Sequence, residues 1–429
     1  VARQHPDKSL NLNVRGLRYS ATLAINERCE ELRNEGRHVY RLGLGQSPFP
    51  VPAPVVEKLK ANAHQKSYLP VKGLPELRSA VASYLNRSQH VPRTGEDVLV
   101  GPGSKELMFI LQLVYYGDLV IPQPSWVSYA PQAAIIGRAV RWVPTNEKDG
   151  WHLVPEELER ICAEDPGRPR IIILNYPANP TGSTYRTSDL KRLAKVAREH
   201  RAVLVSDEIY GELHHKGQHV SIARFYPEGT IVTGGLSKWC GAGGWRLGVS
   251  VFPSQLRWLL DAMAVVASET YTSTSAPIQY AAVRAYEGGI LIERHLMHSR
   301  RILGALARHI TKRLRDSGVR VTEPKGAFYL FLSFSNHREK FMERRIASDL
   351  ELCSRLLEET GVAILPGSHF GNPAGALTAR LAYVDFDGPK ALATAEHMPP
   401  HQPIEEHFLR ECCSKVLEAV ERISGWINR

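Results

Sequence analysis

Two apolar runs do most to limit what this chain can become. Residues 171–174 read Ile-Ile-Ile-Leu and lead into Asn175-Tyr176-Pro177-Ala178-Asn179-Pro180-Thr181-Gly182. Residues 202–205 read Ala-Val-Leu-Val and lead into Asp207-Glu208-Ile209-Tyr210. Unbroken apolar runs of this length suit strands covered on both faces rather than strands with one wet face. Further short runs at 98–100, 119–121, 230–233 and 247–252 alternate with helical patterns from Ser104 and over 155–163 and 187–199. Strand–helix alternation of this kind predicts a largely parallel sheet with helices on both sides. Such sheets bind ligands beyond the carboxyl ends of their strands. The polar groups after 174 and 205 are therefore placed where chemistry is expected.

A third segment supplies reactive groups. It reads Gly234-Gly235-Leu236-Ser237-Lys238-Trp239-Cys240-Gly241-Ala242-Gly243-Gly244-Trp245-Arg246-Leu247-Gly248. A lysine on a tight, small-residue loop can bring its amine to a bound carbonyl, provided its surroundings lower its pKa. Arg246 adds a planar fork of donors that fits a phosphate. An amine for an aldehyde and a guanidinium for a phosphate are the minimum set for pyridoxal 5'-phosphate, PLP. By itself the segment also fits a solvated glycine-rich loop.

Taken together, the three segments resemble the class I/II aminotransferases of the fold-type I PLP enzymes, over about Gly43 to Arg380. The resemblance implies an α/β fold with a mostly parallel central sheet flanked by helices in a large domain, plus a smaller α+β domain. The implied divisions are an N-terminal arm with part of the small domain at 1–50, the large PLP-binding domain at 51–300, and the small C-terminal domain at 301–429.

The resemblance also implies roles. Lys238 would carry the cofactor aldehyde, yield it to the substrate amine and then move a proton. Asp207 would face the pyridinium nitrogen, and Tyr210 and Asn179 the phenolic oxygen. Trp126, in Pro124-Ser125-Trp126-Val127-Ser128-Tyr129, would stack on the ring. Gly103, Ser104 and Lys105 open a helix whose first N–H groups suit a phosphate, with Arg246 adding charge. Gly235 stands where many relatives place a phosphate-binding serine, which leaves either one donor fewer or Ser237 in its stead. Tyr68 resembles the tyrosine that a neighbouring subunit supplies, so the implied active unit is a homodimer with shared sites. Arg380 and the Gly45 backbone would hold the substrate α-carboxylate, with Trp126 and Asn179 beside it. Lys105 matches a lysine that meets the distal carboxylate in a bacterial group of aspartate aminotransferases. The implied activity is transfer of the amino group of an L-amino acid, aspartate first, to a 2-oxo acid such as 2-oxoglutarate. Aromatic or alanine transfer, or a carbon–sulfur lyase on the same scaffold, share these motifs.

Other classes find less support. The 54 basic and 44 acidic residues give a formal charge of +10, spread along the chain rather than gathered in a stripe. That helps attract anionic substrates but does not make a nucleic-acid surface. No run nears the ~20 apolar residues of a membrane helix, and Val1–Arg18 has no apolar core of a secretory signal. About forty residues precede Gly43, and they read as one helix over 17–36, too short for a DNA-binding module with a linker. No dinucleotide or P-loop glycine motif appears. Six cysteines without a Cys-x-x-Cys pair suit a reducing, cytoplasmic setting. His214, His215 and His219 lack metal-ligand spacing, so no metal is expected. Beyond residue 290 the pattern predicts one long helix, strands at 319–321 and 328–332, helices at 350–359 and 408–424, and polar insertions at 334–348 and 396–406.

Overall fold

The computed structural model describes residues 10–17 and 19–429. Residues 1–9 and Arg18, which make up part of the N-terminal stretch read as non-secretory, lie outside the described residues.

Tyr40–Arg41 (β1) is followed by a seven-stranded sheet made of Val98–Gly101 (β2), Asp118–Gln123 (β3), Val140–Pro144 (β4), Arg170–Asn175 (β5), Val203–Asp207 (β6), Thr230–Gly235 (β7) and Gly248–Val251 (β8). Their order across the sheet is β2-β8-β7-β6-β5-β3-β4. All neighbours pair in parallel except β8, which is antiparallel to both β2 and β7. The apolar runs occupy the middle: every residue of β6 is buried, as are all but the last of β5. Two apolar layers, one against each face, explain why neither strand alternates in sequence.

The antiparallel strand has a consequence for the site. Because β8 runs backwards, its start, not its end, lies at the edge where β2 and β7 finish. Gly248 pairs with both Gly101 and Gly235. Arg246, two residues before β8, is thus delivered to the same edge as the loops after β5 and β6.

The second half adds Arg320–Val321 (β9), Tyr329–Ser333 (β10), Val362–Ala363 (β11), Leu365–Pro366 (β12) and Thr378–Ala382 (β13). β12-β13-β10-β9 form an antiparallel sheet, and β1 pairs in parallel with β11, so segments from both ends of the chain meet. The helix Ile290–Asp316 has 27 residues and so runs about 40 Å at 1.5 Å per residue.

Several expectations are corrected. The first helix spans Ala21–Asn34, starting later than 17. The stretch 408–424 is two helices, Glu406–Cys412 and Ser414–Asn428, because the chain turns out of helical geometry at Cys413. β4 has no counterpart among the predicted strands, as its partly polar edge sequence Val-Arg-Trp-Val-Pro lacks a buried run. The insertion 334–348 carries a short helix, Arg338–Glu343, anchored by buried Phe341.

Candidate active site

A cavity of about 280 Å³ opens at the carboxyl edge of the large sheet and is closed on its other side by β10 and β13. Lys238 lies in its wall, partly buried, and Nζ donates to the Gly45 carbonyl at 2.6 Å. The same nitrogen lies 5.7 Å from the Tyr210 ring centre and 5.9 Å from that of Phe328. Burial above all, then Arg380, Arg246 and Lys105, brings its pKa from 10.5 down to about 8, with Asp207 opposing. The shift raises the unprotonated, nucleophilic fraction from a negligible level to about a tenth at pH 7.

Asp207 ends β6 and is only 4 % exposed. One carboxylate oxygen accepts from the Tyr129 hydroxyl, the other from the Ile209 backbone N–H at 3.2 Å. Burial pushes its pKa up to about 6 against both hydrogen bonds. The group still ionises at neutral pH, and its oxygens keep lone pairs for a further donor. Asn175 buttresses the turn: its amide donates to the Asp207 carbonyl at 2.9 Å and accepts from the Asn179 N–H at 2.8 Å.

Arg380 is 1 % exposed, yet among the described residues no carboxylate meets it. Its Nη1 donates to Asn179 Oδ1 at 3.0 Å and Nη2 to the Gly43 carbonyl, while Nε has no partner. The guanidinium stacks 4.6 Å from the Tyr329 ring centre and 5.0 Å from that of Phe370. Burial lowers its pKa. A buried cation without an anion is costly, so the arrangement suits an anion that arrives from outside. Tyr329 also shares a 2.7 Å hydrogen bond with Tyr210. Gly45 is required here, because a Cβ at that position would sit 1.9 Å from the Tyr329 hydroxyl.

The helix Ser104–Val114 begins after Gly103, whose φ of 97° favours glycine. Ser104 and Lys105 supply its first N–H groups, which have no carbonyl partner inside the helix. A Cβ on Gly103 would lie 2.3 Å from Arg246 Nη2, so glycine leaves room for the guanidinium at the helix start. Arg246 donates to the Gly243 carbonyl at 2.9 Å and to that of Pro102 at 3.3 Å. Lys105 Nζ lies 5.2 Å from the Trp126 ring centre, and burial, with Arg246 second, lowers its pKa.

Of the residues predicted from sequence, Gly45, Ser104, Lys105, Trp126, Asn179 and Asp207 line this cavity, as do Tyr210, Ser237, Lys238, Arg246 and Arg380. Gly103 does not line it but shapes the helix start. Tyr68 is 89 % exposed and stands outside the cavity of its own chain. Gly235 cannot be exchanged for the serine of other sequences on this backbone: a Cβ there would meet the Leu247 carbonyl at 2.6 Å. Cys240 is buried, its thiol pushed up to about 12 by burial, which makes it a packing residue. Two residues escape the sequence reading. Tyr129 lies in the quoted Trp126 segment, and Tyr329 in a strand read only as core.

The groups present fit PLP: a depressed amine, a buried carboxylate with free lone pairs, a helix start opened by glycine, and an arginine beside it. A profile of the aminotransferase class I and II family matches residues 37–383. The aspartate aminotransferase of Geobacillus stearothermophilus is 34 % identical over 380 residues, 86 % of this chain and 93 % of that protein. The aspartate/prephenate aminotransferase of Thermus thermophilus is 32 % identical over 376 residues, 85 % of this chain and 92 % of that one. The structure of aspartate aminotransferase from Thermus thermophilus with maleate superimposes with a TM-score of 0.82 at 29 % identity, covering 97 % of this chain and 99 % of that chain.

Proposed function

The chain belongs to the class I and II aminotransferases, and from that membership we propose that it transfers the amino group of L-aspartate to 2-oxoglutarate with PLP held at Lys238. The observation that carries this reading is Lys238 itself. Its amine, with a pKa of about 8, shares one cavity with a buried carboxylate, Asp207, and a buried guanidinium, Arg380, that pairs with no carboxylate among the described residues.

Bound there, PLP supplies the aldehyde that accepts the amino group and a ring that withdraws electrons from the substrate Cα. Asp207, kept ionised by Tyr129 and the Ile209 N–H, would hold the proton on the ring nitrogen. Tyr210 and Asn179 would donate to the phenolic oxygen, with the Tyr329 hydroxyl orienting Tyr210. Ser104, the N–H groups at its helix start, Ser237 and Arg246 would hold the phosphate, and Trp126 would pack on the ring. Arg380 grips the substrate α-carboxylate with two parallel bonds, which a lysine could not match. Lys238 Nζ then moves a proton at the substrate Cα. Lys105, an exposed cation at the cavity wall beside Trp126, would meet the distal carboxylate. The similar Thermus aspartate aminotransferase is seen with maleate, itself a dicarboxylate, which supports a two-carboxylate substrate here.

The exposure of Tyr68, outside the cavity of its own chain, supports reading the active unit as a homodimer in which Tyr68 reaches the site of the second copy. The pairing of β1 with β11 supports a small domain built from 1–50 and 301–429 beside a large one at 51–300. Six cysteines, all buried and unpaired, support a reducing compartment, the cytoplasm. Among the described residues, no helix is long and apolar enough to cross a membrane.

The test is the visible spectrum of the PLP-loaded protein before and after L-aspartate without an oxo acid. Conversion to the aminated cofactor with one oxaloacetate per site is expected. A band that aspartate leaves unmoved would overturn the substrate assignment.

A further inference from the structure

A second cavity, of about 480 Å³, shares no lining residue with the first. Its wall carries Lys216, Arg300, Arg301, Arg308 and Lys325 against a single carboxylate, Glu323. The helix Ile290–Asp316 presents Arg300, Gly304 and Arg308 at four-residue intervals, hence on one face. Gly304 is buried and leaves the middle of that face without a side chain, so that Arg308 Nη1 lies 3.6 Å from where its Cβ would be. A Cβ there would lie 3.4 Å from His215 Cβ, so the opposite wall stands close.

Two of the five cations are neutralised. Arg300 pairs with Glu212, and Lys325 lies 3.7 Å from Glu323. The other three are not. Arg301 donates to two carbonyls, of Pro399 at 3.1 Å and Gln402 at 2.7 Å, and so ties down the 396–406 insertion that forms one rim. Among the described residues, the side chains of Lys216 and Arg308 have neither a hydrogen-bond nor an ion-pair partner. His214 and His215 in the same wall are both brought down to about 4, by burial first and then by neighbouring histidines, Arg300 and Lys216 for the one and by Arg308 for the other. The cavity thus has uncompensated positive charge, concave walls and a size within the usual range for small ligands.

We propose that this cavity binds a small multivalent oxyanion, a phosphorylated or polycarboxylate metabolite, outside the catalytic centre. Arg308, from the long helix, and Lys216, from the segment after His215, both line it, and Arg301 holds the rim. Guanidinium groups suit such ligands because they offer paired donors in one plane.

Isothermal titration calorimetry of the PLP-loaded protein at low ionic strength tests this, with pyrophosphate and citrate titrated separately. Loading fills the phosphate cradle at Ser104, so pyrophosphate heat reports on the second cavity. Because Arg380 offers citrate a carboxylate site of its own, citrate is titrated with Arg380 presaturated by maleate, and its heat is assigned to the second cavity only where Arg308→Glu removes it. One saturable site per chain is expected, with pyrophosphate or citrate preferred according to the ligand's source. Arg308→Glu and Lys216→Glu change exposed side chains away from the Lys238 cavity. Each should weaken binding about tenfold or more, since a charge-assisted hydrogen bond contributes about 1.5–3 kcal/mol. Absence of saturable heat with both anions, or unchanged affinity in both variants, would overturn the proposal.

Discussion

Replacing Lys238 with methionine should abolish turnover and at the same time stabilise the cofactor-free protein. The ammonium is partly buried, faces Arg380, Arg246 and Lys105, and has its pKa reduced from 10.5 to about 8. At ~1.36 kcal/mol per pH unit, holding it charged costs the fold about 3 kcal/mol. Removing its 2.6 Å bond to the Gly45 carbonyl gives back about 1 kcal/mol. A net gain of about 2 kcal/mol near neutral pH remains. The sign of the pH dependence follows. Below pH 8 the amine is charged in both folded and unfolded chains, and the penalty is constant. Between pH 8 and 10.5 the unfolded chain keeps a proton that the folded chain has released, so wild-type stability rises with pH through this group. Methionine has no such dependence. Urea denaturation of both cofactor-free proteins near pH 7 and near pH 10 is the assay. A gap favouring the variant near pH 7 that closes towards pH 10 is expected. A variant no more stable than wild type near pH 7, or a gap constant in pH, would refute the reasoning.

Four further outcomes follow from the same geometry. Arg380→Ala should raise the KM for amino acids by about two orders of magnitude, the loss of a charge-assisted pair of bonds of about 3 kcal/mol, while PLP stays bound; unchanged saturation kinetics would remove its assigned role. Lys105→Ala should reduce kcat/KM for aspartate more than for alanine, and an equal loss for both would end its part in specificity. In the cofactor-free protein, PLP affinity should fall as pH drops through about 6, where Asp207 takes up a proton, and Asp207→Asn should flatten that limb; Tyr129→Phe should shift it upward, because the variant loses a donor to the carboxylate. Gly45→Ala should disrupt the cavity, as its methyl would overlap the Tyr329 hydroxyl, and the near-ultraviolet circular dichroism of the tyrosines should change with it.

The parts legible in sequence share a physical origin. β5 and β6 are buried on both faces, so their apolar runs are continuous, and the groups that follow them must emerge at one edge. Asn179, Asp207 and Tyr210 stand out for that reason. Lys238 and Arg246 stand out because glycines crowd a short loop. What stays hidden depends on contacts between distant segments. Tyr329 reads as one more strand residue until β10 is paired with β13, which sets it beneath Arg380, and until the Gly45 turn packs on its hydroxyl. Tyr129 reads as the start of a helix until that helix lies against the end of β6. β4 is an edge strand whose mixed sequence gives no periodic signal. The absence of a serine at 235 is visible in sequence, but its cause, the Leu247 carbonyl pressed against that position by the β7–β8 pairing, is not. The basic cavity is invisible for the same reason: its cations are scattered over more than a hundred residues and converge only in the fold.

The central claim is that Lys238 is the amine that holds the cofactor. Borohydride reduction of the PLP-loaded protein, followed by proteolysis and mass spectrometry of the peptides, tests it directly. A single phosphopyridoxyl label on Lys238 is predicted. A label on another lysine, with Lys238 unmodified, would contradict the account.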